Sequence, residues 1–155
     1  MSMPSLYEDT RFLNVDLDIL SRRSLESLVA VLGNKVFLHH IGREGKYYGA
    51  HFSLSGSHGK DADFLTYALA QLVLKLPRNA RILWNQAQVR DFNIGIQSVF
   101  RPHSHTLRIK AKTLKLLSSL GANIVVTTYA PVIEHGTRKA GRRKRKNTVR
   151  KAKRR

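Results

Sequence analysis

The sequence predicts an α+β fold: a two-layer sandwich whose mostly antiparallel or mixed sheet carries its helices on one face. Three observations lead there. Phe92-Asn93-Ile94-Gly95-Ile96-Gln97 places apolar residues on even positions and polar or small ones on odd positions, the pattern of a central strand with one buried face. Helical spacing of apolar residues flanks it at 61–76 and 111–120. Strand-helix units alternate with hairpins along the rest of the chain, in the order β-α-β-β-α-(short α)-β-β-α-β, with no solenoid-length repeat.

Residues 1–10 are polar, contain Pro4 and read as a flexible lead-in. Arg11–Ile19 alternates cleanly, with Leu13, Val15, Leu17 and Ile19 on one side and Asn14, Asp16 and Asp18 on the other. Ser21 is a suitable helix cap, Leu25, Leu28, Val29 and Leu32 follow at helical spacing, and Gly33 stops them. Lys35–Ile41 reads as a strand, Gly42-Arg43-Glu44-Gly45 as a turn and Tyr47–Ser55 as the returning strand of a hairpin. Gly56–Gly59 is a flexible loop. Asp61 and Asp63 suit the exposed amides of a helix start; Phe64, Leu65, Ala68, Leu69, Leu72, Val73 and Leu76 form its apolar stripe, and Pro77 ends it.

Asn79 can cap a short helix through Ile82, Leu83 and Trp84. Val89–Gln97 is the opening strand. His105, Leu107 and Ile109 alternate with Thr106, Arg108 and Lys110, which predicts a further strand. Ala111–Leu120 reads as a helix closed by Gly121, and Asn123–Tyr129 as a β-branched strand covered on both faces.

Charge divides the chain. Of 28 Lys and Arg, 12 lie in the last twenty residues, which hold no Asp or Glu. Residues 11–131 therefore read as one α+β domain, and 132–155 as a basic tail that is disordered in isolation, since from Arg138 to Arg155 it has no aromatic residue and only Val149 among large aliphatics. The absence of cysteine excludes disulfides, thiolate metal sites and cysteine nucleophiles. No apolar run reaches the length of a membrane span and the N-terminus has no signal-peptide pattern, so a cytoplasmic protein is expected.

Three groups could carry function. The polar sheet face would gather Asn14, Asp16, Asp18, His51, Ser53, Asp91, Asn93 and Gln97; of these Asp16, Asp18, His51, Asp91, Asn93 and Gln97 are the candidate binding surface. Paired carboxylates near a histidine can also do acid–base work or hold a cation, and an antiparallel sheet can simply keep one solvated face. The second group is histidine: His39 and His40, being adjacent, are expected on opposite faces, while His103 and His105 share one. Neither pair has the spacing of a metal site, so no metal and no cofactor is assigned. Serine beside histidine in Leu54–Gly59 matches no nucleophile motif, and Trp84 reads as core. No catalytic residue is assigned.

The third group is the tail: Arg138, Lys139, Arg142, Arg143, Lys144, Arg145, Lys146, Arg150, Lys151, Lys153, Arg154 and Arg155. Its charge density suits nucleic-acid phosphates, DNA or RNA, through counterion release. A nucleoid or ribosome association follows, or nuclear import in a eukaryote. A solubilising extension and an anionic membrane surface are the other uses of such a run.

Phe12-Leu13-Asn14-Val15-Asp16-Leu17-Asp18, Arg90-Asp91-Phe92-Asn93-Ile94-Gly95-Ile96-Gln97 and Leu120-Gly121-Ala122-Asn123-Ile124 with Tyr129 resemble bacterial domains of the DUF4279 type over residues 11–130. That resemblance implies an α+β fold and no established activity, and it leaves the tail unexplained. By analogy of fold and size it also admits an immunity or adaptor protein that binds a protein partner. The expectation is thus a non-enzymatic binding domain whose tail holds nucleic-acid phosphates without sequence specificity. The alternatives are a protein-binding immunity or adaptor domain, and a small hydrolase or metal-dependent enzyme using Asp16, Asp18 and a histidine.

Overall fold

A computed structural model describes residues 9–99 and 104–130. The basic tail and residues 1–8 of the lead-in lie outside these. The elements run β1 (Arg11–Ser21), α1 (Glu26–Leu32), a 3-10 turn (Gly33–Lys35), β2 (Val36–Glu44), β3 (Tyr47–Leu54), α2 (Ala62–Leu74), α3 (Arg78–Gln86), β4 (Val89–Gln97), α4 (Ala111–Ser119) and β5 (Asn123–Tyr129). Five strands form one mixed sheet in the order β2-β3-β1-β4-β5, so the architecture is α+β. The pairings from β2 across to β4 are antiparallel; only β4–β5 is parallel.

The period-two pattern sets which face is buried. Val15, Leu17 and Ile19 of β1, Ala50 and Phe52 of β3, and Phe92 and Ile94 of β4 meet Leu65, Leu69 and Val73 of α2, Trp84 of α3 and Leu117 of α4 in one core. Fully burying each of the larger side chains stabilises the fold by about 1.5–3 kcal/mol. Trp84 is core, as expected, and its indole nitrogen donates to the Leu120 carbonyl at 2.9 Å. That bond ties α3 to the end of α4.

Several expectations are corrected. Ser21 does not cap α1: it is buried at the end of β1, where its hydroxyl accepts from the Arg23 amide at 3.1 Å. Asn79 lies inside α3, which starts after Pro77 without a side-chain cap. Residues 104–110 form no strand. The parallel β4–β5 pair needs a crossover on the helix side, and Leu107 and Ile109 pack there against the core. β5 is an edge strand, with Val126 56% exposed, because nothing among the described residues pairs beyond it. The expected four-residue turn is shorter: β2 continues through Glu44, which pairs with Tyr47 around Gly45 at φ 60°.

Asp61 caps α2 as expected, accepting from the Phe64 amide at 2.7 Å. Asp63 does something the helix-start reading missed. It accepts from the Lys110 amide at 2.9 Å and the Thr113 hydroxyl at 2.7 Å, so α2 supplies the cap that α4 lacks in its own sequence.

Candidate functional site

The polar face of the sheet is the candidate site. Asp16, Asp18, His51, Asn93 and Asp91 stand on it because each falls one position out of phase with a core residue of its strand. Register then brings them together: Asp18 is opposite both His51 and Asp91, and Asp16 opposite both Ser53 and Asn93.

One hydrogen-bonded ladder crosses all five strands. The Thr127 hydroxyl of β5 donates to Asn93 Oδ1 at 2.8 Å, and Asn93 Nδ2 donates to Asp18 Oδ2 at 3.3 Å. Asp18 Oδ1 lies 2.8 Å from His51 Nδ1, and His51 Nε2 lies 2.6 Å from Glu44 Oε1 on β2. His40 Nε2 reaches the same Glu44 oxygen at 3.3 Å. A second, shorter string has Asn14 Nδ2 donating to Asp16 Oδ1 at 2.8 Å; that oxygen is 3.3 Å from His39 Nε2, which is 3.0 Å from Ser53 Oγ.

Adjacency in a regular strand would put His39 and His40 on opposite faces; both lie on this one. The register of β2 on β3 slips between Leu38 and His40. The extra residue of such a bulge turns two neighbours to the same side, so His39 meets Asp16 and His40 meets Glu44. Thr127, in a run read as covered on both faces, and Glu44, a turn residue by sequence, are the other members that the sequence conceals. The only signal for Glu44 is its i+4 spacing from His40. Asp91 and Gln97 are not part of the ladder. Asp91 accepts from Asn123 Nδ2 at 2.9 Å, and the Gln97 amide donates to the carbonyls of Tyr129 and Ala130 at 3.2 Å, fastening the edge strand.

The electrostatics follow from this packing. Burial by itself lowers the His51 pKa; its hydrogen bonds to Asp18 and Glu44, with their charges, outweigh burial and leave it above the ordinary histidine value. A carboxylate faces each ring nitrogen, so when the ring is protonated both nitrogens donate. Burial pushes the Asp16 carboxyl above its ordinary value; the Asp18 charge adds to this and His39 opposes it.

Chemically, the face is a satisfied network. Among the described residues, no three His or carboxylate groups form a set arranged to hold a metal ion, and no buried side-chain polar atom lacks a partner. His51 has a carboxylate on each nitrogen, so neither nitrogen is left to take a substrate proton. Ser53 and Asp16 meet the same nitrogen of His39, whereas a serine relay needs the acid on the other one. The arrangement can present fixed charges and hydrogen-bonding groups to a partner.

No helix among the described residues is long and apolar enough to cross a membrane. Comparison of the chain with protein-family models, with curated proteins and with solved structures finds no match.

Proposed function

We propose that the chain is a non-enzymatic binding domain whose polybasic C-terminal segment holds nucleic-acid backbone phosphates without sequence specificity. One observation carries this reading: 12 Lys and Arg, with no acidic residue, in the last twenty positions. Arg142, Arg143, Lys144, Arg145 and Lys146 are its densest stretch. Cations at that density release the counterions condensed on a phosphate chain, and the gain does not depend on base sequence. A cytoplasmic place on nucleoid or ribosome goes with it.

The test is to replace those five residues by glutamine in the full chain and to titrate duplex DNA and RNA against salt. Five neutralised phosphates correspond to a loss of about 10² to 10³ in affinity between 50 and 200 mM salt for the unaltered protein. The variant should lose that slope. An unaltered protein that binds neither duplex at low salt, or a variant that binds as before, removes the proposal.

A second reading rests on the sheet face. Its ladder is part-exposed, with the side chain of His40 49% and that of His39 38% accessible, which suits an immunity or adaptor protein that docks a polar partner there. It is distinguished by a stoichiometric protein partner on purification, absent when Asp18 and Glu44 are replaced. The DUF4279-like strand motifs agree with either reading.

A further inference from the structure

The two layers of the domain differ in charge. The sheet face carries Asp16, Asp18, Glu44 and Asp91. The helix layer also carries Glu26, Asp61 and Asp63, but from Phe92 to Ile133, a stretch that includes α4, the sequence has no Asp or Glu, and Arg108, Lys110, Lys112 and Lys115 fall in it. Lys112 and Lys115 lie exposed on α4.

Between α2 and α4 run two adjoining clefts of about 290 Å³ each, which share Tyr67 and Lys112. The first is completed by Gln71, Lys115, Leu116 and Ser119, the second by Phe64 and Lys110 among others. Phe64 is 48% exposed on α2, and Tyr67 lies one turn further along. Each ring already holds a cation: Lys60 Nζ lies 5.0 Å from the Phe64 centroid and Lys112 Nζ 4.8 Å from that of Tyr67.

Two acidic residues border the groove. Asp61 is occupied as the cap of α2, and Asp63 is nearly buried, with Lys110 Nζ 3.4 Å from its carboxylate. The groove therefore offers an excess of mobile positive charge around two aromatic faces.

We propose that this α2–α4 groove is a binding site for single-stranded nucleic acid. It rests on the nucleic-acid reading above and adds a second binding surface with a different preference. Phosphates take Lys60, Lys112 and Lys115, and unstacked bases take the ring faces that Lys60 and Lys112 vacate. Lysine is a flexible point charge that can move to a phosphate, and base–aromatic stacking is stronger than an exposed cation–π contact. A duplex keeps its bases stacked on one another and cannot use the rings, so the groove selects single strands. The tail has no aromatic residue and makes no such distinction.

The experiment uses the full chain, labelled oligothymidine and a duplex of equal length, at about physiological salt. Replacing Phe64 and Tyr67 together by alanine should weaken oligothymidine binding about tenfold or more and leave duplex binding within about twofold. Because Tyr67 is half-buried, the exposed pair Lys112→Gln and Lys115→Gln carries the test independently of folding. It should lower the single-strand salt slope by about 1.4, or 0.7 for each phosphate no longer neutralised. Glutamine at Arg142–Lys146 should instead weaken both substrates. If that tail variant binds normally while the groove variants bind single strands weakly, the groove stands and the tail reading falls. The groove is overturned if its variants bind oligothymidine as the unaltered protein does, weaken both substrates equally, or leave an acidic peptide as effective a competitor as oligothymidine.

Discussion

The carboxylate of Glu44 lies over Gly49, in space that a β-carbon at that position would occupy. Gly42 is the register partner of Gly49, so two bare positions face each other beneath the side chains of His40, Glu44 and His51. Glycine here clears the floor that lets Glu44 lean across from β2 to β3.

Gly49→Ala should therefore move the carboxylate and leave the strand in place, because the obstructed atoms are the far end of a flexible side chain. Breaking one partly exposed ion pair and stiffening the unfolded chain oppose each other, so stability should change by no more than about 1 kcal/mol. The informative readout is the His51 ring, whose NMR titration midpoint should fall toward the ordinary histidine value. An unchanged midpoint would show that Glu44 does not set it.

How much of this was legible in the sequence depends on period and register. Val15, Leu17 and Ile19 announce their face by alternation alone, and so do Phe92 and Ile94; β4 keeps the expected bounds, Val89–Gln97. The ladder members Asp18, His51 and Asn93 follow from the same alternation. His39, His40 and Glu44 do not, because a single bulge shifts phase without any residue type that marks it. Residues 105–110 alternate like a strand, yet alternation does not say whether a neighbouring strand is available to pair with. The β-branched run of β5 suits an edge and an interior strand equally, and only the topology decides.

His51 makes stability depend on pH in one direction. Its pKa is raised on folding, so the folded state binds its proton more tightly than the unfolded state does. The stabilisation is complete below the unfolded value of about 6.5 and disappears as pH rises through the folded value. His51→Gln should thus cost most at about pH 5–6, by about 1 kcal/mol for partly exposed partners, and the two unfolding curves should converge at higher pH. A difference that grows with pH would contradict the ladder.

Asp16 gives a test of opposite outcome on the same face. Its carboxyl is raised by burial, so ionisation opposes folding at any pH above the folded value. Asp16→Asn resembles the protonated form and keeps an oxygen to accept from Asn14. It should be more stable than the unaltered protein at neutral pH, and the advantage should vanish as pH falls below about 3.9, where both states are protonated. Urea unfolding at neutral and acid pH checks this.

Asp63 joins the fold to the groove between α2 and α4. Burial by itself raises its pKa, but the Lys110 amide, the Thr113 hydroxyl and the Lys110 ammonium outweigh that and hold the carboxyl below its ordinary value. The contribution is therefore present above about pH 3.9, the unfolded value, and is lost as pH falls through the lower folded value. Asp63→Ala leaves the start of α4 and the buried Thr113 hydroxyl without their acceptor, at a cost of about 2–3 kcal/mol near neutral pH. Asp63→Asn keeps one oxygen to accept from the Lys110 amide but loses the charge, and should cost less. Thermal unfolding at neutral pH orders the three proteins, and hydrogen exchange at residues 111–114 locates the effect. Equal protection of those amides in Asp63→Ala and the unaltered chain would mean that α4 starts without this cap.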